Sequence, residues 1–281
     1  MSRRERSLPR GWYPMDRKAC EQEIQSFLAG WSPPPAVSGA GCGGVVPHAG
    51  WFFSGKIAAR VFHTLKSNEK VDVVVLYGGH LGPNDFPKIV LEDACETPLG
   101  EVEIDRAFAE KLMKRVDAKR EAPSSGDNTI EVQLAMVKYF FPRAKMIAVR
   151  SPLSSAAVRL GKEVAELAKG EGKSILAIGS TDLTHYGPNY GFTAKGLGPS
   201  SVEWVKKEND QRFIEQALRM DAEGLLRHAV ENDSACSPGA VASAVTTCKA
   251  MSAEQGVLLD YYTSYDIMPD DSFVGYAGII Y

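Results

Sequence analysis

At 281 residues the chain is long enough for one large domain or two small ones, and 44% apolar with 24% charged residues is an ordinary globular composition. A formal net charge of −3 gives no basic balance to argue for nucleic acid, and no apolar run approaches the roughly 18 residues of a membrane span. The opening MSRRERSLPRGWYP lacks the apolar stretch of a secretory signal, so a cytoplasmic protein with a solvated or loosely docked basic arm is expected. Five scattered cysteines form no CxxC pair, which speaks against a zinc knuckle and for free thiols.

Residues 18–30 read as a short helix within an N-terminal lead-in of about 35 residues. WSPPPAVSGAGCGG, 31–44, carries three prolines and four glycines, which exclude a helix or an interior strand there. From Gly44 onward strands and helices alternate. GVVP is a short apolar strand, and 54–66 has the helical spacing Ile57, Val61, Phe62, Leu65. VDVVVLYGG, 71–79, is a continuous β-branched run, as in a strand covered on both faces. KIVLED is a candidate strand. Helices follow over 103–116 and NTIEVQLAMVKYF, then the strand AKMIAVR, a helix capped by Ser154 or Ser155, and the strand KSILAIGS. Three more helices are expected near 200–219, 221–231 and 238–252. The tail VLLDYYTSYDI and FVGYAGIIY reads as a hairpin or a sheet-edge pair. The sum is a single α/β domain over 1–281, a central mixed sheet flanked by helices on both faces.

Three histidines hold matching positions. His48 follows GVVP, His80 follows VVVLYGG, and His185 follows ILAIGSTD. In open α/β sheets ligands bind beyond the carboxyl ends of the strands, so these imidazoles can meet on one rim. Neutral imidazole suits iron, zinc, copper and nickel, and Asp182 and Glu131 are the carboxylates best placed to complete or support the set. The bland alternatives are surface or core histidines, Asp182 as a helix N-cap, and Glu131 as a solvated first-turn residue. His63 and His228 fall in helix patterns and read as surface or helix-end residues. Trp51, Phe52, Phe53 and Tyr186 either line a cleft or pack beneath the rim. Gly78, Gly79 and Gly187 beside the histidines suit close backbone approach, or simply the turns. YGGHLG is not followed by GKS or GKT, and GCGGVV precedes a strand instead of following one, so neither is a nucleotide loop. Cys236, before Ser237 and Pro238 at a helix start, is either a thiol of lowered pKa and soft metal ligand or a small buried residue.

PHAGWFFSGKIAA, YGGH, GDNTIEVQLAM, GSTDLTHYG and CSPGAV, in that order, resemble the Memo family, which includes AmmeMemoRadiSam system protein B. The resemblance runs from about Gly44 to the C-terminus. It implies a fold like that of the class III extradiol (LigB-like) non-haem iron dioxygenases. It also implies a metal site at His48, His80 and His185, and roles for Asp182 and Cys236. Iron or copper in a redox role, a peptide ligand, and AMMECR1-like and radical-SAM pathway partners are implied with it. The chain departs from the family pattern at Asn128, where members carry histidine, and at Tyr77 to Leu81, where they carry P-S-H-H. Residues and resemblance together lead to the expectation of a non-haem iron, dioxygenase-like oxidoreductase holding Fe(II), or Cu or Zn, at His48, His80 and His185. His48, His185, Asp182, Glu131 and Cys236 would serve its chemistry on a small substrate. The alternatives are a non-catalytic metal- or peptide-binding module and a zinc hydrolase with Glu131 or Asp182 as base.

Overall fold

The computed structural model describes residues 2–35, 37, 41–66 and 70–281. Its first elements are β1 (Arg3–Arg4), α1 (Arg17–Leu28), β2 (Gly43–Val46), α2 (Trp51–Leu65) and β3 (Val73–Leu81). Three short strands, β4 (Lys88–Ile89), β5 (Ala94–Cys95) and β6 (Val102–Glu103), precede α3 (Arg106–Arg115), β7 (Lys119–Arg120) and α4 (Asn128–Phe140). Then come β8 (Lys145–Pro152), α5 (Ser155–Gly170), β9 (Ile175–Ser180) and β10 (His185–Tyr186). The helices α6 (Pro199–Trp204), α7 (Asp210–Leu218), α8 (Ala222–Asn232) and α9 (Pro238–Ala250) lead to β11 (Val257–Thr263) and β12 (Phe273–Ile280). A π-helical turn, Val205–Asn209, joins α6 to α7. No helix among the described residues is long and apolar enough to cross a membrane.

The main sheet runs β10-β12-β2-β9-β3-β8-β4-β7, with β11 paired to β12. β2, β9, β3 and β8 are mutually parallel, and β12 joins β2 antiparallel. Alternation explains the apolar runs. Val73, Val75 and Tyr77 face one core layer with α5, α8 and α9, while Val74 and Leu76 face the other with α1, α2 and α4. Each such buried side chain is worth about 1.5–3 kcal/mol over leaving it exposed.

Three expectations need correcting, and the hairpin reading of the tail holds. The interior of the sheet includes Gly43, which the glycine-rich reading excluded from any interior strand, beside Gly44, where the strand was expected to begin. A Cβ on Gly43 would sit 2.1 Å from the Ala177 carbonyl oxygen, so glycine is what lets β2 close on β9. Residues 36 and 38–40 of that segment lie outside the described residues. The tail forms the expected hairpin of β11 with β12, in which β12 is a fully buried interior strand. Ser154 takes the N-cap position of α5 without a side-chain cap hydrogen bond. The basic arm is firmly docked. β1 pairs with β5, and the Glu131 carboxylate accepts hydrogen bonds from the Ser7 and Leu8 N–H groups, the Ser7 hydroxyl and the Tyr13 hydroxyl.

Connections leave the carboxyl ends on opposite sides. β2 leads into α2 on one face, whereas β3, by way of β4 to β6, leads to α3, and β8 leads directly to α5, on the other face. That reversal opens a crevice at the ends of β2, β9 and β3.

Candidate metal centre

Register brings the first pair together. Val46 of β2 is opposite Ser180 of β9, so His48 and Asp182, each two residues further on, emerge side by side. The Asp182 carboxylate accepts the His48 N–H at 2.6 Å and the Ala49 N–H at 3.2 Å. Asp182 therefore secures the turn into α2 and is not the N-cap of an element of its own. Its other oxygen lies 4.0 Å from His48 Nε2. Burial pushes the Asp182 carboxyl up to about 6.

His80 arrives from the end of β3, where the register with β8 shifts between Gly78 and Leu81. A bulge of this kind re-aims a side chain. Gly79 makes it possible with φ of +95°, and its N–H donates to the Thr129 hydroxyl at 2.7 Å. The His80 ring stands edge-on to His48, centroids 5.2 Å apart, with Nδ1 3.8 Å from Asp127. Asp127 also caps α4 at Thr129 and pairs with Arg150 at 3.1 Å.

Cys236 is the third member. The 181–184 turn after β9 pairs with its segment, with Leu183 opposite Ala235 and the Cys236 N–H donating to the Asp182 carbonyl at 3.2 Å. Its sulfur lies 3.1 Å from His48 Nε2. One ligand atom each from His48, His80 and Cys236 falls within 4.8 Å of the others. The helix-start reading of Cys236 predicted a lowered thiol. Desolvation, with the Asp182 carboxylate beside it, instead pushes it up to about 12, and α9 begins only two residues later.

Hydrogen bonding sets the imidazoles. The Ser180 hydroxyl donates to the Thr129 carbonyl at 2.6 Å, so it is an acceptor toward His48 Nδ1 at 3.3 Å. His48 therefore carries its proton on Nδ1 and turns a bare Nε2 toward Cys236. His185 donates from Nδ1 to the Leu183 carbonyl at 3.1 Å, which likewise frees Nε2. Burial lowers all three histidines, His48 to about 4, so each is neutral and fit for ligation at neutral pH.

His185 lines the same cleft as His80 and Cys236, its ring against Tyr190, but the tight cluster takes Cys236 where the sequence pointed to His185. Glu131 is elsewhere. The helix α4 turns it to the N-terminal arm, whose donors occupy its carboxylate. Of the aromatics, Phe53 lines the cleft, Trp51 and Tyr186 are core, and Phe52 is exposed. His63 packs between Trp31 and Phe140, and His228 bonds the Asn209 carbonyl, both away from the rim. Sequence reasoning missed Ser180, Asp127, Tyr190 and Trp12. The signal for Ser180 was its place as the last polar residue inside β9. Nothing local marked Trp12, which reaches the cleft because its carbonyl accepts the Trp51 N–H at 2.8 Å.

A histidine–histidine–cysteine cluster at the carboxyl rim of a mixed α/β sheet defines an α/β protein with a candidate metal-binding centre. The family model described as Memo-like protein matches residues 4–280, and the chain belongs to that family. A MEMO1 family protein of Methanococcoides burtonii is 31% identical over 273 residues, 96% of each chain. The MEMO1 family protein PH1626 of Pyrococcus horikoshii is 30% identical over 248 residues, 84% of this chain and 85% of that one. Among solved structures, the uncharacterized protein JW3007 from Escherichia coli K12 overlaps at a TM-score of 0.45 and 12% identity, over 79% of this chain and 91% of that one. An overlap that loose carries no argument.

Proposed function

We propose that this chain binds one metal ion, iron or copper in the redox-active form, through His48, His80 and Cys236 and acts as an oxidoreductase, dioxygenase-like, on a small aromatic substrate. Fe(II) is the first metal to try, then copper and zinc, since a thiol beside imidazoles also suits the softer ions. The observation that carries the reading is the three-residue cluster with a bare, oriented nitrogen on buried His48. When bound, such an ion supplies electron transfer and a Lewis-acid centre.

The chain's own residues do the rest. Ser180 and the Leu183 carbonyl hold the His48 and His185 tautomers. The cleft of roughly 450 Å³ beside them suits a single-ring molecule, with Phe53, Tyr190 and Tyr276 as walls and Trp12 at its margin. Asp182, with a carboxyl pushed up to about 6, and His185 are the groups able to hold or pass a proton near neutral pH.

A second reading, a non-catalytic metal- or peptide-binding module, is favoured by Asn128. Its amide donates to the His48 carbonyl at 3.2 Å and offers no proton transfer. The test of both starts with metal content of anaerobically purified protein. Near-stoichiometric metal is expected in the wild type, lost in His48→Ala, His80→Ala and Cys236→Ala and kept in His185→Ala. A wild type that takes up no Fe(II), Cu(I) or Zn(II) ends the metalloprotein reading. Oxygen uptake with catechols then separates enzyme from module.

A further inference from the structure

His80 is the member of the cluster that packing fixes least. Its side chain is 44% exposed, whereas His48 is buried and held by Ser180. Register leaves Gly79 and His80 of β3 opposite Ser151 alone, between the pairs Gly78–Arg150 and Leu81–Pro152. The bulge that aims His80 therefore stands beside Arg150. A Cβ on Gly79 would lie 2.5 Å from Cβ of Arg150 and 2.9 Å from its Cγ, so the arginine stem packs against the bulge itself.

We propose, resting on the metal-binding reading above, that Arg150 is a positioning residue for His80. It clamps the Asp127 carboxylate, and Asp127 steadies the His80 imidazole both directly and through Thr129.

The guanidinium has the shape this requires. Its Nη2 lies 3.1 Å from Asp127 Oδ2, while Nη1 donates to both Glu121 oxygens at 3.4 Å and to the Ser125 hydroxyl at 3.3 Å. The three charged side chains are largely buried. A planar fork can bridge two carboxylates in a fixed geometry, which the single ammonium of a lysine cannot. Asp127 divides its oxygens between two tasks. Oδ1 accepts the Thr129 N–H at 3.0 Å and the Thr129 hydroxyl, and that hydroxyl accepts the Gly79 N–H at 2.7 Å. Oδ2, the oxygen held by Arg150, stands 3.8 Å from His80 Nδ1. That is too long for a hydrogen bond. A negative charge on this side of the ring still favours the proton on Nδ1 and leaves Nε2 bare.

Both routes end at the bulge. One runs through the Asp127 carboxylate to the ring of His80, the other through the Thr129 hydroxyl to the backbone just before it. Without the guanidinium, Oδ2 of Asp127 loses the cation that fixes it and can turn away from the imidazole. Removing an outer partner of this kind typically weakens metal binding about 10–100-fold. His48 takes its orientation from Ser180 on β9, so the loss should reach His80 and spare His48.

The test uses full-length, metal-free protein with 15N-labelled imidazoles, followed by Zn(II) competition against a chromophoric chelator. Arg150→Met keeps an unbranched stem beside Gly79 and deletes the fork. It is expected to reduce protonation of His80 Nδ1, to leave the His48 and His185 signals in place, and to weaken Zn(II) binding at least about tenfold at unchanged stoichiometry. In an Asp127→Asn background the same substitution is expected to add nothing. If Arg150→Met does not fold, Arg150→Lys, which keeps the charge without the fork, is read in the same way. A folded variant with wild-type His80 signals or wild-type Zn(II) affinity overturns the proposal. So does an equal shift of all three histidines, or full additivity with Asp127→Asn. A wild type that binds no Zn(II) ends the zinc comparison, and the His80 signals of the metal-free protein then decide the role of Arg150.

Discussion

Ser180→Ala isolates the device that orients His48. Ser180 is fully buried at the end of β9, and its hydroxyl is the acceptor for His48 Nδ1 at 3.3 Å while it donates to the Thr129 carbonyl. Removing it strands a buried imidazole N–H, which costs about 1–3 kcal/mol of stability. It also frees His48 to move its proton to Nε2, the nitrogen that faces Cys236. Loss of such an outer partner typically weakens metal binding about 10–100-fold, or ~1.4–2.7 kcal/mol. The assay is a competition titration of Zn(II) or Fe(II) against a chromophoric chelator, read beside imidazole 15N spectra of the metal-free protein. The expected result is a weaker Kd at unchanged stoichiometry, with the His48 Nδ1 signal losing its protonated character. An unchanged Kd and tautomer, with only a lower Tm, would refute the reasoning and leave Ser180 a packing residue.

Glu131→Ala removes the carboxylate that gathers four donors from residues 7, 8 and 13. Tryptic cleavage at Arg10 is expected to quicken at least about tenfold, since a hydrogen bond to a charged group is worth ~1.5–3 kcal/mol, while metal stoichiometry holds; metal loss would return Glu131 to the site. Asp210 is fully buried, accepting from the Thr184 N–H and the Tyr261 hydroxyl, and burial pushes its carboxyl from 3.8 up to about 7. The folded state holds the proton more tightly, so the stability linked to it is full below about pH 4 and falls as pH rises to about 7, by on the order of 4 kcal/mol. Asp210→Asn keeps the Thr184 bonds and should flatten that part of a denaturant-melt profile between pH 4 and 8; an unchanged slope contradicts the assignment. Gly43→Ala puts a methyl 2.1 Å from the Ala177 oxygen and should cost about 1–3 kcal/mol or more in chemical denaturation. A wild-type midpoint would mean that β2 and β9 are not so closely apposed.

Most of the elements were legible because their periodicities are strong. NTIEVQLAMVKYF is α4 to the residue, and the β-branched run at 71–79 is β3 displaced by two. What local rules misjudged was the reach of the sheet. Gly43 looks like a loop residue by composition, yet it opens an interior strand because the neighbouring backbone leaves no room for a Cβ. The arm looked solvated because its arginines are conspicuous, whereas the residues that anchor it are Ser7, Leu8 and Tyr13, which pair with a carboxylate over a hundred positions away.

The candidate site divides along the same line. His48, His80, Asp182 and His185 were visible because a residue at a strand's carboxyl end is placed by the sheet itself, and register alone puts His48 beside Asp182. Cys236 was visible as a candidate soft ligand and, by the resemblance, as a site residue, but no local signal placed it against His48, since it follows a helix that ends at Asn232 and is drawn in by pairing between Leu183 and Ala235. Helix-end electrostatics pointed to a reactive thiolate, but desolvation acts more strongly than the field of a helix that starts two residues later. The result is a protonated thiol against a bare imidazole nitrogen. A metal ion there would have to displace that proton, so uptake through Cys236 should release about one proton per ion and tighten as pH rises. Binding that is independent of pH between 6 and 9 would show that the sulfur is not a ligand.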